Sequence, residues 1–252
     1  MRRYNSYYRD YLAAIRLRKE LGSVAAALKS EEFVKAMHKA MEGFFGFGRW
    51  KTLLPLDEFK TELRRHSHLI ESFDGEQLGT ETNEVSDKLW KLIDQLKLTT
   101  EKSRLVSGSK ALHLLLPELV VPIDRQYTGA FLYRYSDEFD HKKEQDTFYI
   151  AFASFRRLAN AASPESYVGT QEVHATRTKV IDNAIIAFVE RGRGTLKAAT
   201  AEMQTRELAY KLYEKRGRVD GDDLKDWFDA EAILRKWAKP SRRSSKAGTQ
   251  HR

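Results

Sequence analysis

The stretch GSKALHLLLPELVVPID, residues 108–124, decides the fold of the chain. It is apolar almost throughout, yet it places Lys110, His113 and Asp124 among leucines and valines. Its first leucines and alanine occupy most of the circumference of a short helix, which predicts a helix that is largely buried. Pro117 and Pro122 then flank the segment that connects this helix to the next helical pattern. The stretch therefore predicts a core helix that carries three polar residues.

Apolar residues recur at helical spacing through most of the chain, and no segment shows the alternation that predicts a strand. Ser30, followed by two glutamates, is placed to cap one of these helices. The stretch GFFGFGRW, residues 43–50, interrupts the pattern and predicts a loop that packs. The other helical patterns lie at Tyr7–Ile15, Phe33–Met37, Asp57–Glu71, Val85–Leu96, Tyr127–Tyr135, Phe148–Phe155 and Val180–Phe188. The predicted fold class is all-α, with a multi-helix globular domain.

The composition excludes several classes of protein. Charged residues make up 32% and hydrophobic residues 41% of the 252 residues, which is ordinary for a globular protein. The chain has no cysteine, so it holds no disulfide, thiolate zinc site or iron–sulfur cluster. No apolar run reaches the length of a membrane span, and the start MRRYNSYYRD lacks the apolar core of a signal peptide. We therefore predict a cytoplasmic protein that does not contact a membrane.

The sequence also argues against a metal or a cofactor. The seven histidines are scattered, and His66 and His68 are two residues apart on a predicted helix, so they point in different directions. No Walker loop is present, and no G-x-G-x-x-G follows a strand. We predict no metal site and no cofactor.

The charge distribution divides the chain. We predict a main helical domain over residues 1–195, a helical hairpin over 204–238 and a disordered basic tail over 239–252. Five of the eight net positive charges belong to the tail: Lys239, Arg242, Arg243, Lys246 and Arg252. A segment of Ser, Lys, Arg and Gly buries no core, but it offers phosphates a non-specific contact.

The stretch ELAYKLYEKRGRVDGDDLKDWFDAEAIL, residues 207–234, predicts two short helices around a turn. It resembles a short bacterial domain of unknown function, the family numbered twenty-nine thirty-four, whose hallmark is A-Y-x-L-Y-E, G-R, D-G-x-D-L-x-D-W and A-E. The resemblance implies kinship and no activity. We consider a protein as the binding partner of this hairpin. The matching positions are Ala209, Tyr210, Leu212, Tyr213, Glu214, Gly217, Arg218, Asp220, Gly221, Asp223, Leu224, Asp226, Trp227, Ala230 and Glu231.

The residues around Lys110 form the candidate site. Ser107, Gly108 and Ser109 predict a tight turn whose free backbone N–H groups, at the start of a helix, are able to hold a phosphate. Lys110 and His113 are three residues apart and so share one edge of that helix. The predicted contacts to nucleic acid are Ser107, Gly108, Ser109, His113 and Arg125.

Asp124 stands just before the next helical pattern, so its ordinary role is that of an N-cap. The carboxylate is expected to accept a hydrogen bond from the backbone of residue 126 or 127.

The arrangement resembles the core of the helix-hairpin-helix DNA glycosylases, in which a glycine turn with a lysine opens a helix and P-x-D follows. Gly108 and Lys110 match the turn and its lysine, and residues 122–124 match P-x-D. The resemblance implies that Asp124 stabilises positive charge on the sugar and that Lys110 attacks the sugar carbon. The chain departs from the family in LVSGS, in place of L-P-G-x-G, and in a shorter spacing from lysine to aspartate.

A closer resemblance is to uncharacterised bacterial proteins that share three motifs, and it implies no activity. The motifs are S-K-x-L-H, P-x-L-x-x-P-I-D-R-x-Y-T and T-K-V-I-D-N-A, which here occupy residues 109–113, 117–128 and 178–184.

Three functions follow from these observations. The foremost is a helical scaffold or partner-binding protein, and no reaction is assigned to it. The alternatives are a non-catalytic nucleic-acid-binding protein and a glycosylase-like enzyme, with DNA bound through the Gly108 turn and the basic tail. The enzyme requires Lys110 and Asp124 to face one open site, whereas the scaffold does not.

The basic tail yields a first testable prediction. Truncation after Ala238 should leave the melting temperature nearly unchanged, because the tail buries no apolar surface. It should also weaken salt-sensitive retention on immobilised nucleic acid, because it removes phosphate contacts. Thermal unfolding and a salt-gradient column measure the two effects, and a large fall in melting temperature would show that the tail docks on the folded chain.

Overall fold

The computed structural model describes residues 2–50, 52–82, 84–133, 143–171, 173–216, 225–230 and 232. Its helices are α1 (Arg2–Glu20), α2 (Val24–Lys29), α3 (Glu31–Glu42), α4 (Leu56–Arg65), α5 (Ser67–Glu71), α6 (Val85–Gln95), α7 (Leu105–Leu115), α8 (Thr128–Tyr133), α9 (Glu144–Ala162) and α10 (Arg177–Lys215). A further helical segment covers residues 225–230. Short 3-10 turns occupy Phe47–Trp50 and Pro164–Tyr167.

The described residues contain no β-strand, and one isolated antiparallel bridge joins Leu53 to Thr99. The predicted all-α class is confirmed. The tail predicted to be disordered lies outside the described residues, and so do residues 217–223 of the hairpin turn predicted at 216–223.

The chain divides into two compact units, Met1–Val189 and Glu190–Arg252. The boundary falls within α10, which continues past Gly192 without interruption. The first unit holds the main hydrophobic cluster, to which α1, α3, α6, α7 and α9 all contribute. The candidate residues at 107–125 therefore belong to the first unit.

Local hydrogen bonds fix where several helices begin and end. The hydroxyls of Ser23 and Ser30 accept from the backbone N–H groups of Ala26 and Phe33, each at 3.1 Å. The predicted cap at Ser30 is thereby confirmed.

The single helix predicted from Asp57 to Glu71 is wrong, because the structure has two helices that meet at His66. The backbone N–H of His66 donates to Leu63, three residues back, which tightens the turn and ends α4.

Helix α7 lies at the centre of the first unit and packs against α1, α3, α6 and α9. Its start is capped by another helix, since the Glu144 carboxylate accepts from the backbone N–H groups of Arg104 and Leu105 at 2.9 and 3.2 Å. Gly108 lies inside α7 and faces Ile93 of α6. The tight turn predicted at residues 107–109 is therefore wrong. The small residues Ser107, Gly108 and Ser109 allow α6 and α7 to approach closely. In sequence alone, such a run of small residues resembles a turn.

Two glycines in helices provide a matched test of this packing. A β-carbon at Gly108 would lie 3.1 Å from Ile93 Cγ2, whereas one at Gly192 would meet nothing within 4 Å. We predict that Gly108→Val lowers the free energy of unfolding by about 1–3 kcal/mol through overpacking. Gly192→Ala should raise it by about 0.5–1 kcal/mol through helix propensity. Urea denaturation followed by circular dichroism measures both, and a neutral Gly108→Val would contradict the close approach of α6 and α7.

Candidate functional site

His113 is fully buried and hydrogen-bonded through both ring nitrogens. Nδ1 lies 2.8 Å from the carbonyl oxygen of Val120, and Nε2 lies 2.9 Å from the hydroxyl of Tyr11. Because a carbonyl only accepts, Nδ1 carries the proton and Nε2 accepts from the tyrosine. The two rings are stacked, with centroids 5.8 Å apart. His113 is therefore a core residue whose ring nitrogens are both hydrogen-bonded. It connects α7 to α1 and to the segment that follows α7.

Burial also sets the charge state of this pair. It lowers the pKa of His113 to about 3, and the Lys179 ammonium adds to the effect, while the hydrogen bond to Val120 opposes it. Burial raises the pKa of the Tyr11 hydroxyl well above its usual value, which keeps the proton on the donor. The pair is neutral throughout the ordinary pH range.

The small residues predicted to contact nucleic acid are inside the protein. Ser107, Gly108 and Ser109 are buried in α7. The Ser109 hydroxyl accepts from the backbone N–H of Ile123 at 3.1 Å and donates to the carbonyl of Val106 at 3.2 Å. This corrects their assignment as contacts, because together with His113 they present no surface to a phosphate.

Arg125 is the one residue of the predicted contact set that the described structure leaves exposed. It lies beside Asp124, at the border of the cluster described below.

Asp124 caps the turn that leads into α8. Its Oδ1 accepts from the backbone N–H of Tyr127 at 2.6 Å, and its own N–H donates to Thr128 Oγ1 at 3.2 Å. The predicted capping role is confirmed. The residue is partly exposed, so the same carboxylate also faces its surroundings.

Lys110 lies in an aromatic environment. Its Nζ is 5.5 Å from the ring centroid of Phe45 and 5.5 Å from that of Phe47. Within the described residues it makes no hydrogen bond or ion pair. Burial lowers the pKa of Lys110, and the carboxylates of Asp124 and Asp182 oppose this effect. The side chain is an amine of reduced basicity.

A second pair, which sequence reasoning did not assign to a site, lies at the start of α10. The Lys179 ammonium donates to Asp182 Oδ2 and lies 5.1 Å from the ring centroid of Phe44. Burial raises the pKa of Asp182, and Lys179 opposes the rise. Both residues belong to T-K-V-I-D-N-A, a motif noted above only as a likeness. The available signal was two opposite charges, three apart, among apolar helix positions.

The rings under the two lysines are named here the aromatic layer: Tyr11, Phe44 and Phe45, whose rings are in contact, and Phe47, which lies under Lys110. The centroids of Tyr11 and Phe44 are 4.6 Å apart, and those of Phe44 and Phe45 are 4.9 Å apart. The three phenylalanines are partly exposed, and the predicted loop that packs is confirmed. Together with this layer, the lysine–aspartate cluster (Lys110, Asp124, Lys179 and Asp182) makes up the candidate site.

A surface cavity of about 330 Å³ lies elsewhere in the first unit, and none of the cluster residues lines it. Arg18 at its edge donates to the carbonyl of Leu115 at 2.6 Å and pairs with Asp74 at 3.4 Å. These contacts hold α1 to its neighbours. The charged groups at the cavity therefore stabilise the fold.

The described part of the chain offers neither a metal-binding group nor a membrane-spanning helix. No group of three or more histidine, aspartate or glutamate side chains is arranged there to hold a metal ion. None of its helices combines the length and the apolar character needed to cross a bilayer.

Comparison with known proteins identifies the C-terminal segment alone. Residues 202–236 match the family model described as Protein of unknown function (DUF2934). The predicted kinship of this segment is confirmed. No curated protein and no solved structure gives a significant match to the chain.

The matched segment is held by contacts between motif residues and their neighbours. Arg216, just after α10, donates to Asp226 Oδ2 at 2.6 Å, and Asp226 is buried. Ala230, on the same helical segment, is fully buried, whereas Tyr210 and Phe228 are 56% and 62% exposed. The described part of this unit presents two large aromatic side chains to its surroundings.

The buried state of His113 gives a pH-dependent prediction. The folded protein keeps His113 neutral down to about pH 3, whereas an unfolded histidine has a pKa of about 6.5. Between about pH 6.5 and 3 the histidine is protonated in the unfolded state and neutral in the folded state. His113 therefore lowers the stability of the folded protein as the pH falls through this window. We predict that His113→Gln reduces the slope of unfolding free energy against pH by about 1.4 kcal/mol per unit in this window.

Urea denaturation at pH 7, 6 and 5 measures that slope, and comparing slopes removes the overall cost of the substitution. His68→Gln is the control, because His68 is exposed. Equal slopes in wild type and His113→Gln would contradict the neutral buried state.

Proposed function

We propose that the first unit is a nucleic-acid-processing enzyme of the glycosylase type, with the Lys110 amine as its nucleophile. The observation that carries the proposal is the position of Lys110 Nζ over the rings of Phe45 and Phe47, without a hydrogen bond or an ion pair in the described residues. A lysine that serves only stability is more often paired or fully solvated.

The chemistry of an amine nucleophile fits this environment. A protonated lysine has no lone pair to offer, and an apolar surrounding increases the neutral fraction by lowering its pKa. Burial has this effect on Lys110, and the nearby Lys179 ammonium acts in the same direction. Lysines made nucleophilic in enzymes use both devices.

The carboxylates supply the complementary charge. When the bond between a sugar carbon and its base breaks, positive charge develops on the sugar, and a fixed carboxylate nearby stabilises it. Asp124 is partly exposed, and its carboxylate opposes the fall in the pKa of Lys110. Stabilising the sugar cation is the role that the resemblance to glycosylases implies for Asp124.

Three features favour nucleic acid as the substrate class. The partly exposed phenylalanines offer flat apolar surfaces on which a base stacks. Arg125 is exposed beside Asp124, and the net charge of the chain is +8. We keep the cytoplasm as the proposed compartment, in line with a chain that contains no cysteine.

A helical scaffold or partner-binding protein is the second candidate. It is favoured by the hydrogen bonds that employ His113, Ser109 and Asp124 within the fold. The exposed Tyr210 and Phe228 favour a protein partner for the second unit. In this alternative Lys110 and Asp124 stabilise the connection between α7 and α8 and carry out no reaction.

Covalent trapping tests the proposed function. Wild type, Lys110→Met and the control Lys88→Met are incubated with oligonucleotides that contain damaged bases or abasic sites, in the presence of borohydride. We expect a trapped covalent complex with wild type and Lys88→Met, because Lys88 is an exposed residue paired with Glu84. Lys110→Met should form none, since it lacks the amine. A wild type that neither traps nor binds DNA at low salt would overturn the proposal in favour of the scaffold.

Substitutions of Asp124 separate its two roles in the same assay. Asp124→Asn should leave stability nearly unchanged, because asparagine caps as well as aspartate, whereas Asp124→Ala should cost about 1 kcal/mol. Base release should be lost in both, because neither side chain stabilises a developing cation. Full activity of Asp124→Asn would restrict Asp124 to capping.

A further inference from the structure

Lys110 lies against two rings that differ in their surroundings. Its Nζ is 5.5 Å from the ring centroids of both Phe45 and Phe47. The ring of Phe45 is anchored, because its centroid lies 4.9 Å from that of Phe44 and 6.4 Å from that of His113. Phe47 contacts no other aromatic ring in the described part of the chain, and its side chain is partly exposed. Phe45 is therefore the inner support of the amine, and Phe47 is its outer, accessible ring.

The turn that carries Phe47 is fixed against the first unit. Phe47 begins a 3-10 turn, and its carbonyl accepts from the backbone N–H of Thr52 at 3.4 Å. A β-carbon at the next residue, Gly48, would collide with the side chain of Glu42 at the end of α3. The absence of a side chain at Gly48 allows this close approach. The ring of Phe47 is thereby held at a defined place beside Lys110.

The two rings favour the charge state in which Lys110 is not a nucleophile. The face of an aromatic ring attracts a cation, so it stabilises the ammonium and not the neutral amine. Only the neutral amine has a lone pair with which to attack a sugar carbon. Burial acts in the opposite direction and lowers the pKa of Lys110. A change at the ring face therefore changes the fraction of the amine that is neutral.

We propose that Phe47 couples substrate binding to the activation of Lys110. In the free protein the ring holds the ammonium, and a substrate base that stacks on Phe47 displaces the ammonium from the ring face. The ammonium then loses this stabilisation and gives a proton to water, which leaves a neutral amine beside the bound nucleotide. Phe45 stays anchored and positions the amine. The inference rests on the proposed function, because it takes Lys110 as the nucleophile and a nucleotide as the ligand.

A nucleobase is suited to this exchange. The stacking of a base on an aromatic side chain is in general stronger than the attraction of a partly exposed ring for a cation. Phe47 is the accessible ring under Lys110, so it is the one that a base is able to reach. A ligand without a flat aromatic surface leaves the ammonium on the ring. The coupling therefore makes the reactivity of Lys110 depend on the presence of a base.

Other groups also act on the charge of Lys110, so the test has to change the ring alone. The charged and titratable side chains around the amine and the two rings are Asp124, Asp182, Lys179, Glu42, Tyr11 and His113. Fluorine substitution of Phe47 leaves all of them as they are. It weakens the negative face of the ring, while the size and apolar character of the side chain change little.

Fluorinated phenylalanine at position 47 tests the hold of the ring on the ammonium. The full chain is made with monofluorinated or trifluorinated phenylalanine in place of Phe47, and the rate of acetylation of Lys110 by trace acetic anhydride is followed against pH by peptide mass spectrometry. The rate rises to a plateau as the amine becomes neutral. In the trifluorinated protein we expect this rise at a pH lower by roughly half a unit to one unit, with an unchanged plateau. An unmoved rise overturns the proposal.

The same substitution elsewhere provides the control. Phe188 is an exposed residue of the first unit whose ring lies against Phe131, and no lysine lies over it in the described residues. Trifluorinated phenylalanine at position 188 should leave the pH dependence of Lys110 as it is in wild type. The monofluorinated protein is the milder variant at position 47, and its rise should fall between those of wild type and the trifluorinated protein.

Adenosine tests the coupling to a base, because it stacks on aromatic rings and brings no charge to the site. Near its solubility limit, adenosine should move the rise of the wild-type rate to lower pH by a similar amount. It should have a smaller effect on the trifluorinated protein, whose ring has already lost its hold on the ammonium. A rise that adenosine leaves in place overturns the coupling. A lower plateau without a shift means that adenosine only shields the amine, and it overturns the coupling as well.

These outcomes are distinct from those of the trapping assay. A shift on fluorination and with adenosine, without trapping on any oligonucleotide, supports the control of Lys110 by Phe47 and removes the glycosylase reaction. Trapping of DNA through Lys110, with a pH dependence that neither fluorination nor adenosine moves, overturns the present inference alone.

Discussion

The hydrogen bonds of buried His113 connect the parts of the first unit that carry the candidate site. Its ring joins Tyr11 of α1 to Val120 in the link after α7. The Thr178 hydroxyl lies 3.2 Å from the same Nδ1 and donates to the carbonyl of Pro117, which adds the start of α10. A buried polar group without partners is costly, so these contacts have to form together. The position of Lys179 and Asp182 follows from that requirement.

The charged cluster depends on this neutral frame. Because His113 and Tyr11 carry no charge in their buried setting, the charged groups around Lys110 are Asp124, Asp182 and Lys179. The ring faces of one aromatic layer stabilise the ammonium groups of Lys110 and Lys179, while burial lowers the pKa of Lys110. The two effects leave an amine that is held in place and has reduced basicity. This combination distinguishes Lys110 from the exposed lysines of the chain.

The corrected interpretation of residues 107–109 shows how packing and binding leave similar patterns in sequence. A glycine between two serines, next to a lysine, is typical of a phosphate-binding turn. Here the same small residues permit α7 to approach Ile93, and the start of the helix is capped by the carboxylate of Glu144. Sequence alone does not distinguish the two, because Glu144 lies 40 positions from Arg104.

The sequence by itself determined what depends on neighbouring residues. Helical periodicity was sufficient for the all-α class, and the caps at Ser30 and Asp124 follow from hydrogen bonds that span three residues. The motif in residues 202–236 was likewise readable from local spacing. The tertiary structure alone decided that His113 pairs with Tyr11, 102 positions away, and that Lys110 lies over the ring of Phe45. These partners are selected by the packing of helices distant in sequence, and periodicity reports only which face of each helix is buried.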